Sequence, residues 1–268
     1  MATRLVILGP GRLGGALARG LLDAAWCAPS ELALVHHTKE SRAALEERFA
    51  GVTVVASIEQ LDVDDSCGVV LSVKPDHAES VARAAGPTGF GRLLSVVAGL
   101  STARLEAVFA RPLAVVRAMP NTPVLVRQGV SAMAGGAHAT SDDLAWAESI
   151  LSAVGDVVRV SERQIDAVTG LSGPMPAYLY LVVEALIDAG VHQGLSRDVA
   201  RRLVVGSFSG SAALLTATGR SPVELRAEVT SPGGATAAGL RALEGHAVRA
   251  AFLDAVAAAA ERSRQLGR

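Results

Sequence analysis

The chain has 268 residues, which is long enough for two modest domains that each bury a core. Half of the residues are hydrophobic but only 3% are aromatic, so we expect a core of Ala, Val and Leu, as in an α/β protein. The 25 basic and 26 acidic residues give a formal charge of −1 without a basic cluster. This balance argues against a nucleic-acid partner and favours a small-molecule substrate.

The two cysteines and the N-terminal segment indicate the cellular compartment of the protein. Cys27 and Cys67 are too few for a disulfide framework or a zinc site and predict two buried thiols in a reducing compartment. The chain runs straight into the strand-like stretch Leu5–Leu8 without the features of a signal peptide. No later run of about 18 uncharged apolar residues indicates a membrane span. We therefore expect a cytoplasmic protein without a membrane segment.

Short apolar runs alternate with longer amphipathic stretches as far as Val160. The runs predict buried strands at Arg4–Leu8, Leu32–Val35, Val52–Val55, Gly68–Val73, Leu93–Val97, Ala114–Arg117, Val130–Ala134 and Val157–Val160. The stretches between them predict helices at Arg12–Ala25, Glu40–Phe49, Asp76–Ala85, Thr102–Phe109 and Asp142–Ala153. This alternation predicts a Rossmann-like, doubly wound parallel sheet over residues 1–161.

The strand pattern disappears from about Glu162 onwards. The apolar stretch Ile165–Ala189 predicts one buried helix, ended near Gly190. Further helices are predicted at Arg197–Thr218, Pro222–Val229, Gly234–Leu243 and His246–Gln265. A helix that is apolar on nearly every side needs burial on every side, so we expect residues 162–268 to form an all-helical domain that makes a homodimer.

A dinucleotide-binding turn is predicted between the first strand and the first helix. Gly9-Pro10-Gly11-Arg12-Leu13-Gly14 has the spacing G-x-G-x-x-G at the place in the βα unit that this fingerprint requires. Gly9 would permit the tight turn, Gly11 the approach of the pyrophosphate and Gly14 the close packing of the helix. Arg12 and Leu13, which lie between the last two glycines, complete the expected pyrophosphate-binding turn.

The end of the second predicted strand indicates which dinucleotide binds. An acidic residue there would accept the ribose hydroxyls of NAD and repel a 2′-phosphate, but this chain has His36-His37-Thr38-Lys39. His37, Thr38 and Lys39 can pair with a phosphate, which favours NADPH, with NADH as the alternative. A solvated surface loop is the other interpretation of the same residues.

Three further segments carry a resemblance to one family: Val73-Lys74-Pro75, Arg117-Ala118-Met119-Pro120-Asn121-Thr122-Pro123 and Ser231-Pro232-Gly233-Gly234-Ala235-Thr236. On these segments and the glycine-rich turn, the chain resembles pyrroline-5-carboxylate reductases over essentially its whole length. The resemblance implies a Rossmann domain followed by a helical dimerisation domain, in a dimer that can assemble into a higher-order ring. It also implies reduction of pyrroline-5-carboxylate to proline, the last step of proline biosynthesis.

The resemblance also implies further contacts with the cofactor. Val73, Lys74, Pro75, Ala98, Gly99, Pro120 and Asn121 are expected to bind it, and the proline-containing loop after the sixth strand is expected to lie near the nicotinamide. For two of them the residues leave an alternative open. Lys74 could instead cap the turn after the fourth strand, and Asn121 could instead stabilise its Pro-rich turn.

The segment Ser231–Thr236 is the expected substrate site. Ser231 and Pro232 predict a helix start as N-cap and first helical residue, which would leave the N–H groups of residues 233–236 free to bind a carboxylate. The resemblance likewise implies that Ser231, Gly233, Gly234, Ala235 and Thr236 bind substrate. Thr236 is the expected catalytic residue, because its hydroxyl could reach the ring nitrogen.

The expected reaction needs neither a metal nor a strong acid, because a protonated cyclic imine already accepts a hydride. One segment departs from the family pattern: Ser172-Gly173-Pro174-Met175 has Pro174 and Met175 where small residues are usual. Two alternatives therefore stay open. The chain could be an NADPH-dependent imine reductase for a related cyclic imino acid, or a dinucleotide-binding regulator without turnover.

Overall fold

The structure, a computed structural model, describes residues 3–266. In this range eight strands form one sheet with the order β3-β2-β1-β4-β5-β6-β7-β8. The strands are β1 Leu5–Leu8, β2 Leu32–Val35, β3 Thr53–Val55, β4 Gly68–Leu71, β5 Arg92–Ser95, β6 Ala114–Pro120, β7 Gly129–Gly135 and β8 Gly155–Arg159. Neighbouring strands are parallel except β6 and β7, which are antiparallel. The predicted Rossmann-like sheet is confirmed, with every predicted strand present.

Helices cover both faces of this sheet. They are α1 Arg12–Asp23, α2 Lys39–Arg48, α3 Pro75–Ala85, α4 Thr102–Glu106 and α5 Ser141–Leu151. Alternate residues of a strand point to opposite faces, so Leu5 and Ile7 pack with α1, α2 and α5, whereas Val6 and Leu8 pack with α3 and α4. Because both faces are covered, the strands are continuous apolar runs, which is why they could be recognised in the sequence.

The C-terminal helices are α6 Ile165–Leu171, α7 Met175–His192, α8 Arg197–Thr218, α9 Pro222–Glu228, α10 Ala235–Gly245 and α11 Val248–Leu266. The prediction of one helix over Ile165–Ala189 is wrong, because a turn at residues 172–174 separates α6 from α7. Pro174 explains the interruption, since proline disfavours helical backbone at the residue before it and cannot donate to the preceding turn.

The chain divides into two compact units. One unit runs to Pro174 and is completed by the end of the chain from Ala258; the other is Met175–Ala257. The first unit passes the predicted boundary at residue 161 because α6 packs on the sheet, where Ile165 is fully buried against Ala132 and Ala134.

The long apolar helix, predicted to lie in the core or in an interface, is largely exposed in the single chain. In α7 only Pro176 and Ile187 are buried among the described side chains, while Tyr180 and Leu181 are 66% and 67% exposed. Within residues 3–266, the stretch Glu162–His192 is long and apolar enough to cross a membrane by length and composition alone. The core helices of soluble proteins can have the same length and composition. The two cysteines are buried and free, as predicted.

Candidate functional site

The turn between β1 and α1 contains three glycines, of which Gly9 and Gly14 have no room for a larger side chain. Gly9 has a φ of +75°, and a Cβ added there would lie 2.4 Å from Cγ1 of Val73. A Cβ on Gly14 would lie 2.9 Å from Oγ of Ser72, so α1 packs directly against the chain after β4. Gly11 is different: a Cβ there would meet only the carbonyl oxygen of Gly9, at 4.0 Å.

Gly11 is the N-cap of α1 and has no side chain to cap the helix. The first helical N–H groups are therefore left for an anion, and the exposed Arg12 stands at the first helical position, followed by the half-buried Leu13. The Arg12 guanidinium adds positive charge at the N-terminus of α1. This turn has both the room and the polarity that a pyrophosphate requires.

A cavity of about 720 Å³ opens at the same edge of the sheet. It is lined by the carboxyl ends of β1, β2 and β4, and the strand order reverses between β1 and β4. Ligands of open α/β sheets bind at such a reversal, and the volume suits a cofactor. Of the sequence-predicted cofactor residues, Gly9, Gly11, His37, Val73 and Lys74 line this cavity.

Several polar residues of the cavity were missed by the sequence analysis: Ser57, Ser72, His77 and Ser80, together with His36. Each follows a strand or lies in the first helical turns after one. Position at the carboxyl end of a parallel strand is the signal that could have identified Ser57 and Ser72. His77 and Ser80 lie along α3, which the sequence analysis predicted as a helix without assigning these residues a role.

The β2–α2 connection is a short hydrogen-bonded network. The rings of His36 and His37 stack with centroids 4.9 Å apart, and Nδ1 of His36 accepts from the backbone N–H of Thr38 at 3.3 Å. Because Nδ1 is an acceptor, the neutral ring carries its proton on Nε2. Arg42 donates to the carbonyl oxygens of His36 at 3.0 Å and of His37 at 2.8 Å.

The electrostatics of this connection follow from its geometry. Burial lowers the pKa of His36 below its ordinary 6.5, and the neighbouring His37 and Arg42 lower it further. Thr38 is the N-cap of α2 but its hydroxyl donates to Oγ of Ser41 at 2.8 Å instead of capping the helix. The exposed Lys39 begins the helix, so the end of β2 presents positive charge and donors, with no carboxylate before Glu40.

The other residues expected to contact the cofactor lie after β4, β5 and β6. Lys74 is the N-cap of α3 by backbone position and Pro75 is its first residue, but the Lys74 side chain makes no capping bond and instead lines the cavity. Ala98 and Gly99 follow β5, where Gly99 has a φ of +75°. These loops share the sheet edge that holds the cavity, but Ala98 and Gly99 are not among its lining residues.

Pro120 ends β6 and Asn121 follows it. Oδ1 of Asn121 accepts from the N–H of Val130 at 2.9 Å, and Nδ2 donates to Oγ of Ser172 at 3.4 Å. Both ends of the amide therefore hold the loop to β7 and to the turn between α6 and α7. This geometry is the structural alternative that the sequence left open for Asn121.

The predicted helix start at Ser231-Pro232 is wrong. Helix α10 begins at Ala235 with Gly234 as its N-cap, and the N–H of Gly234 donates to the carbonyl oxygen of Ser231 at 3.1 Å. Pro232 and Gly233, with a φ of +70° at Gly233, form the centre of a β-turn of the type that favours Pro followed by Gly. The free helical N–H groups therefore begin at Ala235 and Thr236 instead of Gly233.

The segment is nevertheless accessible. Gly233 has open space around it, and Ser231, Ala235 and Thr236 are exposed. It belongs to the unit Met175–Ala257, whereas the dinucleotide cavity belongs to the other unit. In the described part of the chain, no group of three or more His, Cys, Asp or Glu side chains is arranged to hold a metal ion.

Comparisons with known proteins match two parts of the chain. A family model described as pyrroline-5-carboxylate reductase dimerisation matches residues 162–266, and one described as NADP oxidoreductase, coenzyme F420-dependent, matches residues 4–99. The pyrroline-5-carboxylate reductase of Corynebacterium melassecola is 41% identical over 271 residues, covering 99% of both chains.

Solved structures extend the similarity to the fold. A pyrroline-5-carboxylate reductase from Coxiella burnetii has a TM-score of 0.91 and 30% identity, covering 100% of both chains. The Plasmodium falciparum pyrroline carboxylate reductase with NADP bound has a TM-score of 0.85 and 32% identity, covering 99% of this chain and 98% of the other. By sequence, family model and fold, this chain belongs to the pyrroline-5-carboxylate reductase family.

Proposed function

We propose that this protein reduces 1-pyrroline-5-carboxylate to L-proline with NADPH as the preferred hydride donor. The observation that carries the proposal is the glycine turn at the reversal of the strand order, in a chain similar over its whole length to pyrroline-5-carboxylate reductases. When bound, the reduced nicotinamide supplies the hydride that C5 of the pyrroline ring accepts.

The pyrophosphate is held by the turn of Gly9, Gly11, Arg12, Leu13 and Gly14. Crowding at Gly9 and Gly14 fixes the backbone, and the open space at Gly11 admits the phosphates. Arg12 and the N-terminus of α1 balance their charge.

The ribose end of the cavity is where NADPH is distinguished from NADH. His37, Thr38 and Lys39 bind the 2′-phosphate, because this connection carries donors and positive charge where an NAD site would carry a carboxylate. NADH lacks the phosphate that would pair with them, so it binds more weakly.

The nicotinamide side is formed by Val73, Lys74, Pro75, Ala98, Gly99, Pro120 and Asn121. Lys74 contributes its side chain to the cavity, whereas Asn121 acts by holding its loop in place. These loops orient the reactive ring and exclude water, which is what hydride transfer to an imine chiefly requires.

The substrate is held by Ser231, Gly233, Gly234, Ala235 and Thr236. The substrate carboxylate accepts hydrogen bonds from the free N–H groups at the start of α10. Gly233, which has no side chain, lets this carboxylate come close to the backbone. The Thr236 hydroxyl donates a hydrogen bond to the ring nitrogen, which gains its proton there or from solvent as C5 is reduced. Thr236 is therefore the proposed catalytic residue.

The exposed apolar faces of α7, α8 and α11 are covered by a second copy of the chain in a homodimer, which can assemble into a higher-order ring. The name of the family model over residues 162–266 supports the dimer. We place this enzyme in the cytoplasm.

An alternative substrate is favoured by one specific observation. Ser172, in the turn that contains Pro174 and is followed by Met175, accepts a hydrogen bond from Asn121. The residues that depart from the family pattern are therefore linked to a loop of the nicotinamide side. A bulkier turn here suits a cyclic imino acid of another ring size or double-bond position.

The test follows loss of reduced-nicotinamide absorbance with pyrroline-5-carboxylate, using NADPH and NADH in parallel. We expect turnover with a lower KM for NADPH, and about a 100-fold loss of kcat/KM in Thr236→Ala. Thr230→Ala is the matched control, because the Thr230 hydroxyl is already bonded to the carbonyl oxygen of Arg226 at 2.6 Å. Tight NADPH binding without turnover of any cyclic imine would instead indicate a non-catalytic regulator.

A further inference from the structure

A charged cluster with one buried member, Arg117, lies next to the loops after β5 and β6. Arg117 on β6 is only 5% exposed, and its Nη1 lies 2.8 Å from Oε1 of Glu162. Its Nη2 lies 4.0 Å from Oδ1 of Asp166, which also accepts from the hydroxyl of Ser263 at 2.8 Å. The same Oε1 of Glu162 accepts the backbone N–H of Thr102 at 3.3 Å.

The chain positions of these residues show what the cluster connects. Thr102 begins α4, three residues after Gly99, and Arg117 precedes Pro120 by three residues. Strands β5 and β6 are parallel neighbours with Ser95 opposite Arg117. One carboxylate, that of Glu162, therefore ties together the loop after β5 and the strand that leads into the loop after β6.

The tie is rigid for electrostatic reasons. The Arg117 guanidinium is buried and the Glu162 carboxylate is partly buried, so the two groups attract each other more strongly than an exposed pair and hold each other in a narrow range of positions. Oε2 of Glu162 is buried and has no partner among residues 3–266, so the carboxylate depends on Arg117 and Thr102 for its compensation. Removal of Arg117 would leave a partly buried negative charge, with Oε2 fully buried, without its partner, which is unfavourable.

We propose that the Arg117–Glu162 pair is a positioning element that sets the spacing of the loops after β5 and β6, and through them the binding of the nicotinamide half of the cofactor. This inference rests on the proposed function for the location of the nicotinamide. Neither Arg117 nor Glu162 lines the cavity, and neither adjoins in the chain His37, Thr38 or Lys39 at its proposed ribose end. The pair therefore acts on one half of the dinucleotide and leaves the other half unchanged.

The experiment compares two ligands by calorimetry: NADPH, and adenosine 2′,5′-bisphosphate, which lacks the nicotinamide half. In Arg117→Met we expect the Kd for NADPH to rise about 10-fold to 100-fold, as for a small misplacement of binding groups, while the Kd for the bisphosphate changes less than about threefold. Arg117→Lys, which keeps the charge, should recover part of the NADPH affinity.

A double variant distinguishes the effect of Arg117→Met on stability from its effect on the positions of the loops. Arg117→Met combined with Glu162→Gln removes the uncompensated buried charge, so its Tm should recover relative to Arg117→Met. The tie between the loops stays broken, so the Kd for NADPH should stay raised. Recovery of NADPH affinity together with Tm would overturn the proposal and assign the pair to stability alone.

Ser263→Ala is the matched control, because it removes the hydrogen bond to Asp166 on the side of the cluster away from the loops. We expect a lower Tm with an unchanged ratio of the two Kd values. The ratio does not depend on turnover. A wild-type protein that fails to reduce pyrroline-5-carboxylate would refute the proposed function. An equal loss of affinity for NADPH and for the bisphosphate in Arg117→Met would refute the positioning role.

Discussion

The glycines of the dinucleotide turn differ in what they do, although the sequence motif treats them alike. Gly9 combines a left-handed backbone with a close approach to Val73, so Gly9→Ala should lower the free energy of unfolding by about 1–3 kcal/mol. Gly11 faces open space, so Gly11→Ala should fold nearly as well as the wild type and lose NADPH affinity because the methyl group occupies the path of the pyrophosphate.

Thermal unfolding and NADPH titration of the two variants check this contrast. The structural assignment would be contradicted if Gly11→Ala were as unstable as Gly9→Ala. The proposed pyrophosphate site would be contradicted if Gly11→Ala bound NADPH as tightly as the wild type.

His36 should make the stability of the protein depend on pH in the acidic range. Its pKa in the folded chain is below the ordinary 6.5, because burial and the nearby His37 and Arg42 disfavour the charged ring. As pH falls below 6.5, the unfolded chain takes up the proton first, so the stability present above that pH is progressively lost.

We expect the Tm of the wild type to fall more between about pH 7.5 and about pH 5.5 than the Tm of His36→Asn. Asparagine keeps an acceptor for the N–H of Thr38 but cannot be protonated. Parallel curves for the two proteins would contradict the assignment.

At the scale of elements, two Ser-Pro pairs show how the following residues decide the local structure. Ser221-Pro222 is followed by Val223-Glu224 and starts α9 with a reciprocal capping arrangement between Ser221 and Glu224. Ser231-Pro232 is followed by two glycines and forms a turn, because Gly233 adopts a positive φ that a helix start does not need. The same dipeptide therefore predicted one helix start correctly and one wrongly.

This turn offers a test with an internal control. Gly233 and Gly219 both have a positive φ and nothing within 4 Å, and Gly219 caps the end of α8. Each Gly→Ala change should cost roughly 1–2 kcal/mol of unfolding free energy. Only Gly233→Ala should also raise the KM for pyrroline-5-carboxylate, measured in steady state. A KM raised equally by both variants would argue against a substrate site in this turn.

For the whole molecule, the apolar surface of α7 predicts the oligomeric state. Leu186 is 45% exposed in the single chain, and Val158 on the edge strand β8 is 46% exposed. If a second copy covers α7, then Leu186→Glu should shift the protein from dimer toward monomer in light scattering, because the charge would be buried in the interface. Val158→Glu is the matched control and should remain dimeric. A dimeric Leu186→Glu would place the interface elsewhere.

The sequence by itself determined the eight strands, the glycine turn, most helices of both regions and the family, because these depend on periodicity, turn chemistry and motifs local to the chain. It could not determine features that depend on distant partners. Only the tertiary structure showed that α6 belongs with the sheet, that Asn121 holds a loop and that Arg117 pairs with Glu162 across 45 positions of sequence. The physical reason is that burial and hydrogen-bond partners depend on which strands become neighbours in the fold. Patterns local to the sequence do not show which distant residues come into contact.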